Sequence, residues 1–430
     1  MDFKHKKITV IGLGSSGKYS ALLAHDLGAK VSITESQETP AVGENLKFFQ
    51  GLDVKIEIGR HTKDLILGRD LIITSPGVSS DSSPIKWAQE LNIPVISEIE
   101  FAYLLCPAPI IATTGTNGKT TVTTLIGEVL KKTGRRVFVC GNIGLPFTKV
   151  VSQIKKEDFV SLEVSSFQLE RIIKFQPKVA LILNFTLDHL NRHSDMDEYL
   201  AAKKRIFLNQ DKEDWAILNY QDEIVRSLGS QTRAKVLFFN KDTSINPNFQ
   251  AAQLVGQIFG VDQKDCEGIF NSFKGLAHRL EFIDSINGID FINDSKATNV
   301  DSTVWALNRI DKPIILIAGG RDKGADFKVI YDLIKKKVKH LVVIGEATDK
   351  IKTHLTGATS IEEADSFGIA INKSFLKAKR GDCILLSPMC ASFDMFLNYE
   401  DRGDAFKKEV LNLKGRHKSV ALNHRLERLL

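Results

Sequence analysis

Short apolar runs recur along the chain and alternate with longer segments of mixed polarity. The first run, residues 8–11, leads into the pattern Gly-x-Gly-x-x-Gly at 12–17 and then into a helix-like segment at 18–27. Two further runs follow at 30–34 and 70–74. Each run is short, rich in Val, Ile or Leu, and ends at a polar or turn-forming residue, which is typical of parallel strands buried on both faces. The chain therefore begins with a predicted α/β domain.

The same pattern continues through two more blocks. In the second block the strand-like runs are residues 109–112, 136–140, 159–164, 179–185 and 214–218. In the third block they are residues 314–318, 340–344 and 382–387, with helix-like stretches between them. The prolines that follow Cys106 cannot continue a helix, so we place a linker there. The pattern predicts an α/β protein with three domains, at residues 1–106, 107–275 and 276–430.

The composition is that of a globular protein. At 430 residues the chain is too long for one ordinary core. It is 43% hydrophobic and 26% charged, and no apolar run reaches the ~18 residues that a membrane helix needs. The first predicted strand follows the N-terminus so closely that a signal peptide has no room, so we expect a cytoplasmic protein. The five cysteines lack disulfide-framework or zinc-site spacing, so we expect thiols that pack as small apolar side chains.

The charge distribution does not indicate a nucleic-acid partner. The net charge is +6, but Lys and Arg are spread along the chain rather than collected in one tract. The densest basic cluster, residues 335–340, lies between apolar runs. We interpret it as the solvated end of a helix that precedes a strand.

The most informative segment for function is the loop at 112–121, Ala-Thr-Thr-Gly-Thr-Asn-Gly-Lys-Thr-Thr. It joins a strand-like run to a helix-like run at 122–130. In such a loop the glycines let the backbone approach phosphate, Lys119 neutralises phosphate charge, and the Thr120 hydroxyl suits Mg²⁺. The segment predicts an ATP or GTP site. The alternative is an ordinary glycine-containing turn between a strand and a helix.

The pattern at 12–17 indicates a second nucleotide site. Glu35 ends the next predicted strand, at about the distance where a dinucleotide-binding fold has its ribose-binding carboxylate. Taken alone, this pairing predicts a protein that binds NAD. Ligands of such folds collect at the carboxyl ends of strands, so the residues after each strand are the candidates for chemistry.

Polar residues at other strand ends extend the central site. Glu163 lies at the end of the run 159–164, where a carboxylate behind a phosphate loop would hold Mg²⁺ or its water. A solvated surface glutamate is the alternative. His189, beside Asp188, follows the next strand and is predicted to bind a second metal or to orient an acidic substrate. Lys203 lies on a helix-like segment, and its local pattern predicts only a surface lysine.

The third block adds cationic candidates. Arg279 lies at the domain junction, and its planar guanidinium with five donors is suited to nucleotide phosphates. The polar cluster 292–299 follows a strand, and Lys323 and Ser392 follow later strands. Several cations near strand ends suggest a small acidic substrate.

Together, these motifs and several others form an ordered set. They are residues 114–121, 141–144, 163–170, 188–189, 201–203, 278–279, 293–299 and 386–394. In this order the set resembles the Mur ligases, over essentially the whole chain. The resemblance implies a Rossmann-like N-terminal domain, a central P-loop domain with a mostly parallel sheet, and a Rossmann-like C-terminal domain. It also implies that the N-terminal domain binds the UDP of a muramoyl substrate rather than NAD.

The resemblance further implies an ATP-dependent ligase of peptidoglycan precursor synthesis. The Phe-Gln-Leu at 167–169 and the motif at 386–394 are most similar to members that join D-glutamate to UDP-N-acetylmuramoyl-L-alanine through an acyl phosphate. The implied cofactors are ATP and two Mg²⁺ ions. A carbamate formed from CO2 on Lys203 would turn that cation into a metal ligand. The expected partners are these small molecules, with no nucleic acid and no membrane, and we expect a monomer.

The resemblance assigns site residues position by position. The implied ATP site comprises Gly115, Thr116, Asn117, Gly118, Lys119, Thr120, Thr121, Asn248, Arg279 and Asp294. The implied UDP-muramoyl site comprises Ser15, Ser16, Glu35, Ser36, Asn142 and His189. D-Glutamate would be held by Thr298, Lys323, Ser392 and Tyr399, and Mg²⁺ by Thr120, Glu163, His189 and Lys203. The catalytic group would be Lys119, Glu163, His189, Lys203 and Arg279.

Four alternatives stay open at this point. Another Mur ligase or a folylpolyglutamate synthase would share the phosphate loop and the mechanism. An NAD dehydrogenase would leave the second phosphate loop unexplained. A nucleotide-regulated binding protein without catalysis would leave the combination of Glu163, His189 and Lys203 unexplained.

Overall fold

The chain folds into two compact units. The computed structural model describes residues 2–186 and 195–427. The first unit runs to Phe273 and the second begins at Lys274. None of the helices in the described ranges has the length and apolar composition that crossing a bilayer requires.

The first sheet of the first unit is built by the N-terminal residues. Its elements are β1 (Lys7–Ile11), α1 (Ser15–Asp26), β2 (Lys30–Glu35), α2 (Pro40–Leu46), β3 (Lys55–Ile58), β4 (Leu71–Thr74), α3 (Ser83–Glu90), β5 (Val95–Ser97) and α4 (Glu98–Tyr103). The five strands are parallel, in the order β3-β2-β1-β4-β5. The strand order reverses at β1, so a crevice opens at the carboxyl end of β1, where ligands of such sheets bind.

The second sheet of the first unit is also parallel. Its elements are β6 (Ile110–Thr114), α5 (Lys119–Lys131), β7 (Val137–Gly141), α6 (Phe147–Val150), β8 (Phe159–Glu163), α7 (Ser166–Leu169), β9 (Val179–Ile182), α8 (Met196–Lys204), β10 (Trp215–Asn219), α9 (Glu223–Ser227), β11 (Lys235–Phe239), α10 (Pro247–Ile258) and α11 (Gln263–Ser272). The strand order is β11-β10-β9-β6-β8-β7. The order reverses at β6, which again opens a crevice at the end of that strand.

The second unit contains a mixed sheet. Its elements are β12 (Glu281–Ile286), β13 (Ile289–Asn293), α12 (Val300–Arg309), β14 (Ile314–Gly319), α13 (Tyr331–Lys337), β15 (Val338–Ile344), α14 (Thr348–Leu355), β16 (Ser360–Glu363), α15 (Phe367–Lys377), β17 (Cys383–Leu386) and α16 (Tyr399–Glu427). The strand order is β12-β13-β17-β14-β15-β16. The boundary between α13 and β15 confirms the interpretation of the basic cluster 335–340 as a helix end before a strand.

One strand of the sheet in the second unit is antiparallel, whereas the apolar runs predicted parallel strands. β12 runs antiparallel to β13 and joins it through a two-residue turn at Asn287 and Gly288. Both turn residues have positive φ, +55° and +77°. This is the geometry that favours Asn-Gly in tight hairpins, because the turn matches the twist of the two strands.

The two sheets of the first unit share one hydrophobic core. The cluster that contains Ile8 and Val10 of β1 continues through α4 to Ala112 of β6. Phe3 and Phe101 meet edge to face at 5.1 Å between ring centroids. The unit is therefore held together by apolar burial between its sheets as well as within each.

Two buried glutamates on α4 also link these sheets. The carboxylate of Glu100 accepts hydrogen bonds from the backbone N–H groups of Ile173, Lys174 and Phe175, at 2.8–3.0 Å. Oε1 of Glu98 accepts from the N–H and hydroxyl of Thr148, at 2.7 and 2.8 Å. Burial raises the pKa of Glu98 to about 7, and the bonds from Thr148 offset only part of that rise.

Two helices begin before their apolar patterns do. α1 begins at Ser15 rather than at residue 18, and α5 begins at Lys119 rather than at 122. The first turn of each helix is polar or small, so it contributes nothing to an apolar period. Each of these turns lies at the carboxyl end of its sheet.

Candidate active site

The loop between β6 and α5 has the backbone geometry of a phosphate loop. Gly118 is the N-cap of α5, at φ +84°, and Gly115 has φ +147°. A Cβ atom on Gly115 would lie 3.0 Å from Cβ of Leu183 and 3.2 Å from its backbone nitrogen. Only glycine lets the loop pass this close to the segment after β9. N–H groups at the start of a helix such as α5 point along its axis and favour the binding of an anion.

The segment after β9 fixes this loop through Asn184 and Thr186. Oδ1 of Asn184 accepts from the N–H of Asn117 at 2.8 Å, and its Nδ2 donates to the carbonyl of Asn117 at 3.0 Å. The N–H of Thr186 donates to the Thr116 hydroxyl at 3.0 Å. These bonds hold the loop in shape, which reduces the ordering cost when a phosphate binds.

Two lysines converge on the loop. Nζ of Lys119 donates to the carbonyl oxygens of Gly115 and Thr116, at 2.9 and 2.8 Å. Nζ of Lys203 donates to the same Gly115 oxygen at 2.9 Å. Two ammonium groups on one acceptor repel each other, so this position favours an anion nearby.

The local prediction that Lys203 is a surface lysine is wrong. Its side chain is only 1% exposed, and its ammonium lies 4.5 Å from the ring centroid of Tyr199. Tyr199 is also buried, and its hydroxyl lies 3.4 Å from that of Thr116. α8 thus directs Lys203 inward, because the helix buries the face that carries these two residues.

Glu163 is buried beside the phosphate loop rather than exposed. β8 lies between β6 and β7, and the register pairs Glu163 with Thr113 on one side and with Gly141 on the other. Glu163 is only 3% exposed. Its Oε1 accepts from Nδ2 of Asn142 at 2.8 Å.

The second carboxylate oxygen of Glu163 fits a metal ion. Oε2 is buried and has no hydrogen-bond partner among the described residues. A buried carboxylate oxygen without a donor is costly, and Mg²⁺ prefers such an oxygen as a ligand. Thr120, the other described oxygen ligand in the implied set, is buried on the first turn of α5.

One further residue of the implied metal site is His189, beside Asp188. Asp188 and His189 lie outside the described residues. Within the described ranges, no group of three His, Cys, Asp or Glu side chains could hold a metal ion. A site that takes Mg²⁺ together with nucleotide phosphates needs only one or two protein carboxylates.

Asn248, on the first turn of α10, lies near the phosphate loop. Its Oδ1 is 3.3 Å from the position that a Cβ on Gly118 would occupy. Thr121 lies on the first turn of α5, and its hydroxyl is buried without a hydrogen-bond partner among the described residues. The implied ATP residues of the first unit are thus grouped around one helix N-terminus.

A separate cavity of about 540 Å³ lies at the carboxyl end of β1. All four implied UDP residues of this domain line it: Ser15, Ser16, Glu35 and Ser36. Oε2 of Glu35 accepts from the N–H of Leu13 at 2.8 Å, and its Oε1 accepts from Gln37 N–H at 2.9 Å. The carboxylate therefore shapes the glycine loop, in addition to any contact with a ribose.

In the second unit, Arg279 lies in a strained segment. Its neighbours His278 and Leu280 have φ of +62° and +42°, which side chains other than glycine rarely adopt. The segment is held because Leu280 N–H donates to Oδ1 of Asp294 at 3.2 Å and His278 N–H donates to Glu281 at 2.8 Å. Nε of Arg279 has no hydrogen-bond partner among the described residues.

Asp294 is a buried carboxyl group next to this segment. Burial raises its pKa to about 7, while a hydrogen bond from the Ser387 hydroxyl and the charge of Arg279 offset part of the rise. The Ser387 hydroxyl donates to Oδ2 at 2.8 Å. The two implied ATP residues of this unit, Arg279 and Asp294, are therefore close enough to interact.

Two of the four implied D-glutamate residues, Thr298 and Ser392, follow segments that one buried arginine connects. Nη2 of Arg402 donates to the carbonyls of Ser295 and Cys390, at 2.8 and 3.1 Å. These loops continue to Thr298 and Ser392. Burial lowers the pKa of Arg402 to about 10.

Two further contacts position the remaining implied D-glutamate residues. The loop that carries Lys323 pairs with the Ser392 loop through backbone bonds between Arg321 and Ala391, at 2.9 and 3.1 Å. The Tyr399 hydroxyl accepts from Nζ of Lys296 at 3.0 Å.

Comparison with known proteins identifies the family. Family models match in three parts: a Mur ligase MurD-like N-terminal domain over residues 6–97, a Mur ligase middle domain over 113–273, and a Mur ligase glutamate ligase domain over 278–390. A UDP-N-acetylmuramoylalanine–D-glutamate ligase from Thermoanaerobacter sp. (strain X514) is 39% identical over 453 residues, covering 96% of this chain and 100% of the relative. The chain belongs to the Mur ligase family.

Two other comparisons agree with this. A protein of the same name from Geotalea daltonii is 39% identical over 449 residues, covering 96% of this Mur ligase and 99% of the relative. The solved structure of a pseudomurein peptide ligase type C from Methanothermus fervidus matches with a TM-score of 0.60 at 18% identity, over 95% of this chain and 100% of that chain. This last likeness shows a shared fold.

Sequence reasoning missed two residues that shape the site of this Mur ligase. Asn184 follows a strand, and its amide can both donate and accept, which is a signal for a loop clamp. Arg402 lies in the charged first turn of α16, where the local sequence gives no sign that the side chain is buried. Only the packing of α16 reveals that Arg402 connects two loops.

Proposed function

We propose that this Mur ligase joins D-glutamate to UDP-N-acetylmuramoyl-L-alanine at the expense of ATP, in the cytoplasmic synthesis of peptidoglycan precursors. Near-full-length relatives that carry this activity in their names support the substrates. The observation that carries the chemistry is the grouping of Lys119, Lys203 and Glu163 around one phosphate loop. A second cavity in the same unit supplies a separate place for the nucleotide of the other substrate.

The reaction proceeds in two steps. A carboxylate oxygen of the muramoyl-L-alanine attacks the γ-phosphorus of ATP, the bond to the β-phosphate oxygen breaks, and ADP leaves. The neutral amine of D-glutamate then attacks the acyl carbon, the C–O bond to phosphate breaks, and the nitrogen loses a proton to water. The products are the amide, ADP and inorganic phosphate.

The chain's residues act on this reaction mainly through position and charge. Lys119 moves from the loop carbonyls to the β- and γ-phosphates and neutralises the charge of the transferred group. N–H groups at the start of α5 hold the phosphates. Glu163 and Thr120 would hold Mg²⁺, which would supply neutralisation of phosphate charge. Asn142, bonded to Glu163, orients the muramoyl substrate near the same point.

Lys203 acts in this account as a carbamate. A neutral lysine amine that has taken up CO2 carries a negative charge and two oxygen acceptors, which suit a second Mg²⁺. The shared position of Lys203 and Lys119 on the Gly115 carbonyl supports this, because a carbamate would replace repulsion between ammonium groups with attraction. His189 is assigned to the same metal and to the substrate.

Residues of the second unit are assigned to the amino acid and to ATP. Arg279 is assigned to the nucleotide phosphates and Asp294 to the ribose region. Thr298, Lys323, Ser392 and Tyr399 are assigned to D-glutamate. The chain is proposed to act as a monomer.

The experiment that tests this function is an assay of ADP release. UDP-N-acetylmuramoyl-L-alanine is combined with ATP, Mg²⁺ and one amino acid from a set that contains D-glutamate, L-glutamate and L-alanine. Release is expected to depend on D-glutamate and on the muramoyl substrate together. Equal or faster release with another amino acid, or with a folate in place of the muramoyl substrate, would overturn the proposed substrates.

A further inference from the structure

The cavity at the end of β1 lacks positive charge for a diphosphate. The described residues that line it include Ser15, Ser16 and the carboxylate of Glu35, but no lysine or arginine. Burial lowers the pKa of His61, another lining residue, below its usual value. A nucleoside diphosphate sugar brings negative phosphate charge to this place. The helix N-terminus supplies only a partial positive charge, so a cation from outside the lining would improve binding.

Helix geometry places two residues of α1 one turn from the cavity lining. Lys18 and Tyr19 follow Ser15 by three and four positions. Residues with this spacing are neighbours on a helix surface, with Cβ atoms about 5–6 Å apart. Both side chains are partly exposed. They therefore lie one turn along the helix from the point where Ser15 meets the cavity.

Tyr19 holds two lysines from different parts of the first unit. Nζ of Lys18 lies 4.7 Å from the centroid of the Tyr19 ring, and Nζ of Lys149 lies 4.8 Å from the same centroid. Lys18 also lies 4.1 Å from the ring centroid of Phe48. Lys149 comes from α6, which packs against α1. The ring is thus a platform for cations from both sheets.

The positive charges of Lys18 and Lys149 are available to a ligand. Among the described residues, neither Lys18 nor Lys149 forms an ion pair with a carboxylate. A hydrogen bond from Lys149 and the positive charges of both lysines lower the pKa of the Tyr19 hydroxyl, although its partial burial opposes this. The positive charges of the two lysines would attract an anionic group to the same place.

α6 is fixed so that Lys149 has a defined position. Glu98 accepts two hydrogen bonds from Thr148, the residue before Lys149. α6 also follows the segment with Asn142, which is assigned to the muramoyl substrate. The cluster is therefore built from the elements on either side of the implied substrate path.

We propose that Lys18 and Lys149, held on the Tyr19 ring, bind the diphosphate of the nucleotide-sugar substrate. This inference rests on the proposed function, because it takes the cavity at the end of β1 as the site of the UDP group. The two lysines supply the charge that the cavity lining lacks. They make the site selective for a nucleoside diphosphate over an uncharged nucleoside.

Calorimetric titration with three probes tests the inference: UDP-N-acetylmuramoyl-L-alanine, UDP and uridine. Lys18→Met and Lys149→Met are each expected to weaken binding of the first two about tenfold, the loss of one charge-assisted contact. Uridine affinity is expected to stay unchanged. Lys149→Arg keeps the charge and is expected to retain UDP affinity. Lys30→Met is the matched control, because Lys30 is exposed at the other end of β2 from the cavity.

The outcomes separate this inference from the proposed function. If the parent binds UDP and both Met variants bind it equally well, the lysine site is wrong while the UDP cavity stands. An equal loss of UDP and uridine affinity would also overturn the inference, since a diphosphate contact cannot weaken uridine. If the parent binds neither the muramoyl substrate nor UDP, the cavity assignment itself fails, and the inference fails with it. Thermal unfolding of each variant checks that the fold is retained.

Discussion

The first unit contains two glycine-rich loops of the same design and different charge. In both, a central parallel strand leads through glycines to the N-terminus of a helix. After β6, the helix begins with Lys119, whose ammonium curls back onto the loop. After β1, the loop is instead tied by a carboxylate, since Glu35 accepts from Leu13 N–H. A helix N-terminus favours an anion in both cases, and we propose that the charge nearby decides which loop takes part in phosphoryl transfer.

The glycines of the two loops also do different work. In the β1 loop, a Cβ on Gly17 would lie 1.9 Å from the carbonyl oxygen of Gly12, so the glycine lets α1 pack onto its own loop. In the β6 loop, Gly115 instead allows contact with the segment after β9. The close contact at Gly17 is made within the loop's own strand and helix, whereas the close contact at Gly115 is made with the segment after a neighbouring strand.

The largest expected effect comes from a substitution that alters only the β6 loop. Lys119→Ala removes the cation beside the transferred phosphate, so turnover is expected to fall about a thousandfold or more. Binding of UDP-N-acetylmuramoyl-L-alanine, measured by calorimetry, is expected to stay unchanged. Lys131→Ala, at the exposed end of α5, is the control and should keep parent activity. Near-normal turnover in Lys119→Ala would show that this loop is not the ATP site.

The next prediction concerns the sign of the charge at Lys203. Lys203→Ala is expected to lose about a hundredfold or more in turnover, on the scale of a lost electrostatic contact to the reacting group, and to recover when a short carboxylic acid is added in excess. The free acid can occupy the place of the carbamate. Lys203→Arg keeps a positive charge and cannot form that carbamate, so it should remain inactive.

The control for this series is Lys204→Ala, which alters the neighbouring lysine on the same helix. Lys204 bonds to Gln231 at the surface and should be dispensable for turnover. An active Lys203→Arg variant, or full activity of Lys203→Ala without added acid, would contradict the carbamate.

A third prediction concerns Glu98, which links the two sheets that carry these loops. Glu98 lies between their sheets, and its pKa is raised from 4.5 to about 7 by burial. The folded protein keeps this proton at pH values where the unfolded chain has lost it. The free energy of unfolding should therefore fall as pH rises from about 4.5 to 7, by on the order of 2 kcal/mol from this group.

Urea unfolding at a series of pH values measures this slope. Glu98→Gln removes the titrating proton and is expected to flatten the dependence over that window, relative to the parent. Glu44→Gln, on the exposed α2, serves as the control and should leave the slope as it is. A slope that Glu98→Gln does not change would show that another group titrates.

The smallest expected effect comes from a substitution that alters only the β1 loop. Glu35→Ala removes the acceptor for the N–H groups of Leu13 and Gln37, so the KM for UDP-N-acetylmuramoyl-L-alanine is expected to rise about tenfold. The KM for ATP should not change. If steady-state kinetics show an equal rise in both, the two loops do not bind separate ligands.

The central strands and the two glycine loops could be predicted from sequence because their residues are buried and regularly apolar. The strands that the apolar pattern misses lie at sheet edges: β3, β5, β11, β12 and β16. Edge strands are half exposed and carry charges, so their runs are short and mixed. In β16, for example, the sequence is Ser-Ile-Glu-Glu. The Asn-Gly at its turn is a sequence signal from which the β12–β13 hairpin could have been predicted.

Site residues divide in a similar way. Lys119 and Glu163 are predictable because their neighbours along the chain form a motif or an apolar strand. Lys203 is not, since its burial comes from contacts with residues far away in sequence, such as Gly115. The polar first turns of α1 and α5 are missed for a related reason. Ligand-binding turns lack the apolar period by which a helix is recognised.

The most direct test of two loops with separate ligands is a pair of sequential calorimetric titrations on the parent enzyme. UDP-N-acetylmuramoyl-L-alanine is added first to saturation, and a non-hydrolysable ATP analogue with Mg²⁺ is added second, with NAD titrated in a parallel sample. The account predicts that one equivalent of each of the first two ligands binds, that the second binds in the presence of the first, and that NAD gives no saturable signal. Competition between the ATP analogue and the muramoyl substrate, or saturable binding of NAD, would contradict it.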